Sequence, residues 1–542
     1  MDASNHDATA VPNEPPVVPK WMTRAIWAFL VLGVGLRLAR YALNYPLWSD
    51  EAFVAANFLR RGYLELLRPL DNWQICPVLF LWAERAVVDA LGFREWTLRL
   101  VPLLCGLAAL GLFPRMARCV ARGPELLLAV GIFAVSAAPI RHASEVKAYA
   151  GDLLVALLLL TPALGWLRDR SRSGLLWVLV LVAPMALAAS HPAAFVAGGV
   201  SLGLAGAVWN DRRRAVIAPF LAFNAVVATT FVLLYVFILK NQDAAMPAAW
   251  RSYWDVGFPP ISRPLAFLRW LVAMHTGDMF GYPGGGGGGA STGTFLLTVA
   301  GAIVLWKRRE RALLATLLGP FVLTFLAAVA RKYPYGGTSR HLQFLAPSIC
   351  VLAGIGGGWL IARVRSPRWR ELAMKGAAAA LFAGGFVHLA RSIDRPYYNP
   401  YDVTARAFAR EFWPAQERAA EIICPLRDAG IRDPNWVNLN AAFYLCNQEI
   451  YTPRRQRRAG LDWNAISAEH PLRCVVYPGT SITSPAFLAW KETFLARFTL
   501  RKLDDLPLTM LQPSTKVEHL LILEFVPRSP EIARGTGSDA RR

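Results

Sequence analysis

Residues 24–52 read RAIWAFLVLGVGLRLARYALNYPLWSDEA. The stretch 24–43 is apolar and long enough to cross a bilayer, which takes roughly 17 to 25 residues. Straight after it comes Pro46-Leu47-Trp48-Ser49-Asp50-Glu51-Ala52, with two adjacent carboxylates at the membrane boundary. Such a pair is costly beside hydrocarbon and is a candidate for acid–base or metal chemistry. Ser49 can also cap a helix whose first turn carries Asp50 and Glu51, where the helix dipole favours negative charge. The two readings are compatible, because a cap can hold a reacting carboxylate in place.

The rest of the chain repeats the apolar pattern. Of 542 residues, 55% are hydrophobic and 18% charged, and the mean hydropathy is +0.34. These values exclude a disordered chain and fit poorly with a water-soluble globule. Spans are expected at 24–43, 98–113, 125–140, 148–167, 174–190, 192–209, 215–239, 293–306, 312–330, 342–362 and 372–390, about eleven crossings. With the N-terminus in the cytoplasm, the inner loops hold Arg115, Arg118 and Arg122; Arg168, Arg170 and Arg172; Arg212 to Arg214; Lys307 to Arg311; and Arg363 to Arg370. Every short inner loop is then basic, as the positive-inside rule requires. The segment 77–92 is apolar but carries Glu84, Arg85 and Asp89, and reads as a helix lying at the interface. Were it to cross, all later loops would change sides.

The fold class expected is therefore a polytopic α-helical membrane protein with a C-terminal soluble α/β domain. Residues 1–23 read as a disordered cytoplasmic tail, whose acids and prolines do not suit a secretory leader. Residues 24–392 form the membrane domain, with interfacial helices in the first outer loop (44–97). Residues 393–542 face the outside, with strands at 473–477 (RCVVY) and 519–525 (HLLILEF). A Cys424–Cys446 bridge and unpaired core thiols are both open there. The net charge of +21 comes from basic residues between apolar runs, which points to topology and gives no nucleic-acid partner. No C-x-x-C pair occurs, against a thiolate zinc site. The six glycines 284–289 read as a linker or lid. Gly354 and Gly356 to Gly358 fall inside a span, where they suit close helix packing.

Several cations stand on the side the rule disfavours. One outer loop reads Arg141-His142-Ala143-Ser144-Glu145-Val146-Lys147-Ala148-Tyr149, another holds His191-Pro192, and a third runs from Arg331 through Gly336-Gly337 to Arg340-His341. Arg331 and Lys332 suit snorkelling to headgroups. Arg340 opens a span after a Gly-Gly turn and is less easily explained that way. An anionic lipid phosphate at the outer leaflet would account for such cations through charge-assisted hydrogen bonds.

These residues resemble a family pattern. Arg37-Leu38 with Leu47-Trp48-Ser49-Asp50-Glu51-Ala52 is similar to the opening signature of bacterial polyprenyl-phosphate-sugar-dependent glycosyltransferases of the GT-C superfamily, which includes protein O-mannosyltransferases and aminoarabinose transferases. Pro77-Val78-Leu79-Phe80, then Phe93-Arg94-Glu95-Trp96-Thr97-Leu98-Arg99-Leu100-Val101-Pro102, look like its second interfacial helix and second span. Ser144-Glu145-Val146-Lys147-Ala148-Tyr149-Ala150 resembles its Ser-Gln-Glu-x-Arg-x-Tyr-Ala segment. The likeness covers roughly the first 170 residues, with weaker support from Tyr335-Gly336-Gly337 to Arg340 and Pro347. The chain departs from the pattern at Ile75-Cys76-Pro77, where many members have His-Pro-Pro. It also lacks Gln before Glu145 and has Lys147 for Arg, which keeps the charge but loses the bidentate fork.

The resemblance implies a membrane enzyme of the cell envelope, in a bacterial inner membrane, that transfers a hexosyl or pentosyl group from a polyprenyl-phosphate-linked sugar. The acceptor is a glycan, a lipid or a protein, reached on the extracytoplasmic face. Asp50 would be the general base of an inverting displacement. Glu51 or Glu145 would orient the acceptor or the base. Lys147 and Arg340 would stabilise the departing lipid phosphate. Tyr149, His191 and His341 are further substrate-binding candidates. No cofactor is expected; a divalent metal is left open, with nothing in the sequence to support one. The competing reading is a transporter or flippase of a lipid-linked sugar or another lipid. Transporters usually place ionisable groups near the midplane and carry inverted repeats, whereas here the polar groups lie at the boundary and no repeat is seen. A scaffold that only displays the tail leaves the outer cations without a purpose.

Overall fold

The computed structural model describes residues 19–246, 254–286, 289, 291–394, 400–415, 439–453, 466–476, 485–508 and 518–528. The chain is a polytopic α-helical membrane protein. Among the described residues, eight helices are long and apolar enough to cross a bilayer: Lys20–Ala42, Glu95–Arg118, Tyr149–Arg168, Ala193–Asp211, Arg214–Ala244, Arg311–Val329, Arg340–Ala362 and Pro367–Asp394. Three shorter apolar helices, Pro124–Val135, Gly174–Ala189 and Thr292–Lys307, occupy the other stretches expected to span. The first helix starts at Lys20, inside the expected tail, and residues 1–18 lie outside the described ones.

Two boundaries differ instructively. The stretch 125–140 is not one helix. It breaks at Ser136, whose backbone is extended, and resumes as Ala137–His142. The Ala137 amide donates to the Pro283 carbonyl at 2.8 Å, not to the helix behind it, and Pro139 has no amide to offer. The stretch 215–239 runs on to Ala244 through a π-helical turn at Tyr235–Leu239.

Ion pairs gather the basic turns at one end of the bundle. Arg168 Nη1 lies 3.1 Å from Glu310 Oε1, Arg308 Nη2 lies 2.5 Å from Glu125 Oε1, and Arg213 Nη2 donates to the Arg170 carbonyl at 3.1 Å. Helix contacts are close where glycines meet. A Cβ at Gly356 would stand 2.0 Å from the Leu297 carbonyl oxygen, and one at Gly301 would stand 2.0 Å from that of Leu352. The helices Thr292–Lys307 and Ala346–Ala362 touch backbone to backbone there, as small residues allow in membranes.

The first loop folds into short helices, including Ser49–Ala55 and the 14-residue Val78–Leu91. Its core, with Leu47, Phe53, Val54, Phe58 and Leu81, is continuous with Ala405, Ala409, Trp413, Ala442 and Val475 from the C-terminal region. That region includes helices Pro400–Phe412 and Leu439–Tyr451. Its strands β1 (Leu472–Val476), β2 (Phe498–Leu508) and β3 (Glu518–Pro527) form an antiparallel sheet in the order β1-β3-β2. β1 and β3 fall on the two expected strands, although Tyr477 lies outside the described residues. β2 is added, since its charged run gave no strand signal. Cys424 also lies outside the described residues, so the Cys424–Cys446 pairing is not addressed; Cys446 Sγ contacts the Ala52 carbonyl at 3.7 Å.

Candidate active site

The first outer segment carries Asp50 and Glu51 on the helix Ser49–Ala55. The cap is Trp48, not Ser49: the Trp48 amide donates to Glu51 Oε2 at 3.2 Å. Glu51 is buried. Arg99 reaches both of its oxygens, Nε to Oε1 at 2.8 Å and Nη2 to Oε2 at 2.6 Å. The Val146 amide adds a second donor to Oε1 at 2.9 Å. Glu51 thus ties its own helix to the 142–149 loop and to Arg99, with its acceptor capacity spent on protein donors.

Asp50 points elsewhere. Its Oδ2 accepts from Arg340 Nη1 at 2.7 Å, and its Oδ1 lies 3.7 Å from Lys147 Nζ. Lys147 is buried and donates to Gln74 Oε1 at 2.7 Å. Arg340 starts a 3-10 turn, Arg340–Leu345, just after Gly336 and Gly337, whose φ angles are +81° and +78°. Only glycine enters that region cheaply, so the pair turns the chain and aims Arg340 back at Asp50. Its guanidinium lies 5.4 Å from the Trp254 ring.

Glu145 is buried between Arg141, whose Nε donates to Oε1 at 2.5 Å, and His142, whose Nδ1 is 2.8 Å from Oε2. Burial alone would raise this carboxyl, but Arg141 and His142 outweigh it and hold it well below the usual range. Burial also lowers the His142 ring despite Glu145. An ionised carboxylate only accepts, so a neutral His142 carries its proton on Nδ1 and keeps Nε2 as an acceptor. The Tyr149 ring is edge-on to His142 at 5.0 Å and to His341 at 5.6 Å, and the Trp254 ring meets His341 at 4.5 Å.

A cavity of about 1010 Å³ opens beside these groups. Its lining includes Trp48, Glu51, Arg141, His142, Glu145 and Arg340. Gly284 and Gly285, from the glycine run, also line it; residues 287, 288 and 290 lie outside the described ones. The structure brings together Asp50, Glu51, Glu145, Lys147, Tyr149, Arg340 and His341. His191 occupies the turn before Ala193–Asp211, and among the described residues no side-chain hydrogen bond, ion pair or ring contact joins it to this group; burial lowers its ring to about 4. Missed from sequence were Gln74, Arg40, His388, Arg391 and Asp402. Arg40 and Arg391 carried a signal, as cations at the disfavoured ends of two spans. Gln74 and Asp402 carried none. Among the described residues, no group of three or more His, Cys, Asp or Glu could hold a metal ion.

No protein-family model matches the chain, and no curated protein matches it. Solved structures do. The archaeal oligosaccharyltransferase AglB from Archaeoglobus fulgidus, in complex with an inhibitory peptide and a dolichol-phosphate, is 12% identical; the match covers 94% of this chain and 76% of that one, with a TM-score of 0.50. The oligosaccharyltransferase of the same organism in complex with Zn and sulfate is 13% identical, covering 93% and 75%, also at 0.50. ArnT from Cupriavidus metallidurans bound to undecaprenyl phosphate is 13% identical, covering 93% and 98%, at 0.46. The chain shares its fold with these archaeal oligosaccharyltransferases.

Proposed function

We propose that the chain is a membrane glycosyltransferase that moves a sugar from a polyprenyl-phosphate donor to an acceptor on the extracytoplasmic face, with inversion. The observation that carries this is the meeting of Asp50, Lys147 and Arg340, one from each of three segments far apart in sequence, with Arg340 lining a cavity large enough for a sugar and a headgroup. The dolichol-phosphate in the AglB structure supports the same class of donor. A cell-envelope enzyme of a bacterial inner membrane fits this reading, with residues from about 393 on the outer side.

Asp50 Oδ1, 3.7 Å from Lys147, lies beyond hydrogen-bond distance and is the oxygen that takes the acceptor's proton. The acceptor oxygen or nitrogen attacks the anomeric carbon as the bond to the lipid phosphate breaks, and the electron pair leaves with that phosphate. Lys147 and Arg340 stabilise the departing charge in a partly dry site. Glu51 and Glu145 position the loop that carries Lys147; their oxygens are held by Arg99, Arg141, His142 and backbone. The test is Asp50→Asn, reconstituted with a polyprenyl-phosphate sugar. Sugar transfer should fall about 10²- to 10⁴-fold while lipid binding stays. Full activity in that variant would remove Asp50 as the base.

A further inference from the structure

The cavity has a second basic corner that the reaction above leaves idle. Arg40 lies in the last turn of Lys20–Ala42 and Arg391 in the last turn of Pro367–Asp394. Both line the cavity together with His388. Two contacts fix Arg40 in place, and a third braces its partners. Its Nη1 donates to Ser392 Oγ at 3.0 Å, its guanidinium lies 5.0 Å from the Tyr45 ring, and the Tyr45 hydroxyl donates to the Ser392 carbonyl at 2.6 Å.

Yet Arg40 has no acid of its own among the described residues. Among the described residues, no carboxylate pairs with it, and its buried Nε has no hydrogen-bond partner. The acid that acts on it at longer range is Glu145, whose oxygens already belong to Arg141 and His142. Arg99 and Arg141 add further positive charge around it. Glu51, Asp278, Asp394 and Asp402 complete the acidic groups of the lining, and among the described residues none of them forms an ion pair with Arg40. A buried guanidinium N–H without an acceptor is destabilising, and Arg40 also lines the cavity with no carboxylate paired to it, so the held guanidinium has the form of an anion receptor.

We propose that Arg40, with Arg391 and His388, forms a second oxyanion subsite in this cavity, distinct from the phosphate position at Lys147 and Arg340. It rests on the glycosyltransferase reading and specifies the substrates. The group bound is a phosphate or a carboxylate. Two carriers share that chemistry: the second phosphate of a diphosphate-linked donor, and an anionic group on the acceptor. The Tyr45 ring removes water from one face of the guanidinium, which strengthens whatever the other edge binds.

The experiment uses the full chain in nanodiscs and measures binding of undecaprenyl monophosphate, undecaprenyl diphosphate and inorganic phosphate, the last with the monophosphate already saturating. Arg40→Gln is the main variant, and the exposed Arg391→Gln serves if the first does not fold. A donor diphosphate predicts a preference of about tenfold for diphosphate over monophosphate, abolished by the substitution, with monophosphate affinity unchanged. An anionic acceptor predicts equal lipid affinities, but inorganic phosphate that binds the saturated protein and is weakened about tenfold by the substitution. No diphosphate preference and no phosphate binding in the unaltered protein overturns the subsite, as does either signal persisting in the variants. Lys147→Ala and Arg340→Ala keep the two readings apart. They should weaken the monophosphate itself, and if they do not, it is the phosphate role of Lys147 and Arg340 that fails.

Discussion

Asp50 and Glu51 are neighbours in sequence and opposites in chemistry. Glu51 is buried, with Arg99 forked across both oxygens; Asp50 is partly open, between Arg340 and Lys147. Truncating Glu51 leaves the Arg99 charge buried and unpaired, which costs about 3–5 kcal/mol. Glu51→Ala should therefore lower the unfolding temperature in detergent markedly and cut membrane-inserted yield, whereas Asp50→Asn should leave both nearly unchanged while removing transfer. Equal thermal losses in the two variants would contradict this division of labour. The sequence showed that a carboxylate pair stands at the boundary, but not which one is structural. That choice is made by Arg99, 48 residues on, and by the Val146 amide, 95 residues on.

At the scale of elements, the informative pieces are the short ones. Periodicity shows that 125–140 is apolar, but it cannot show that the Ala137 amide bonds to Pro283. That break re-aims the chain so that Arg141, His142 and Glu145 enter the cavity. The helix Pro400–Phe412 is similar. Its amphipathic pattern was overshadowed by the mixed composition after 393, and it packs on the first loop through Arg406, which donates to the Asn44 carbonyl at 2.6 Å and pairs with Glu95 at 3.4 Å. This places Asp402 on the cavity wall, where burial, and then Glu51, push its carboxyl up to about 7. Because the folded value lies above the unfolded one, near 3.8, the native state binds the extra proton. The stabilisation is complete below the unfolded value and is lost as pH rises through about 7. Asp402→Asn should therefore unfold at a higher temperature than the parent above that pH, with the gap closing as the pH falls towards 5. A constant gap across that range would mean that Asp402 does not titrate there.

Across the whole molecule, membrane position organises everything else. Every stretch read as a span is helical, with 125–140 broken at Ser136, because crossing hydrocarbon demands satisfied backbone and so leaves a strong signal in composition. The contents of the cavity left a weaker one, since convergence depends on tertiary packing. Charge asymmetry connects the two levels. The helix Tyr149–Arg168 begins beside Asp50 and ends in the basic cluster tied by Arg168, Glu310, Arg308 and Glu125, so the candidate site and the arginine-rich turns lie at opposite ends of the bundle. If the positive-inside rule orients the chain, a single cysteine in place of Ser171 should resist a membrane-impermeant maleimide in intact cells, and one in place of Tyr63 in the first loop should react, with the native cysteines replaced beforehand. Permeabilised cells should label both. Reaction at 171 with protection at 63 would invert the protein in its membrane and move the site to the cytoplasmic face. Equal labelling of both positions in intact cells would place the two ends on one side, which the length of Tyr149–Arg168 does not allow for a spanning helix.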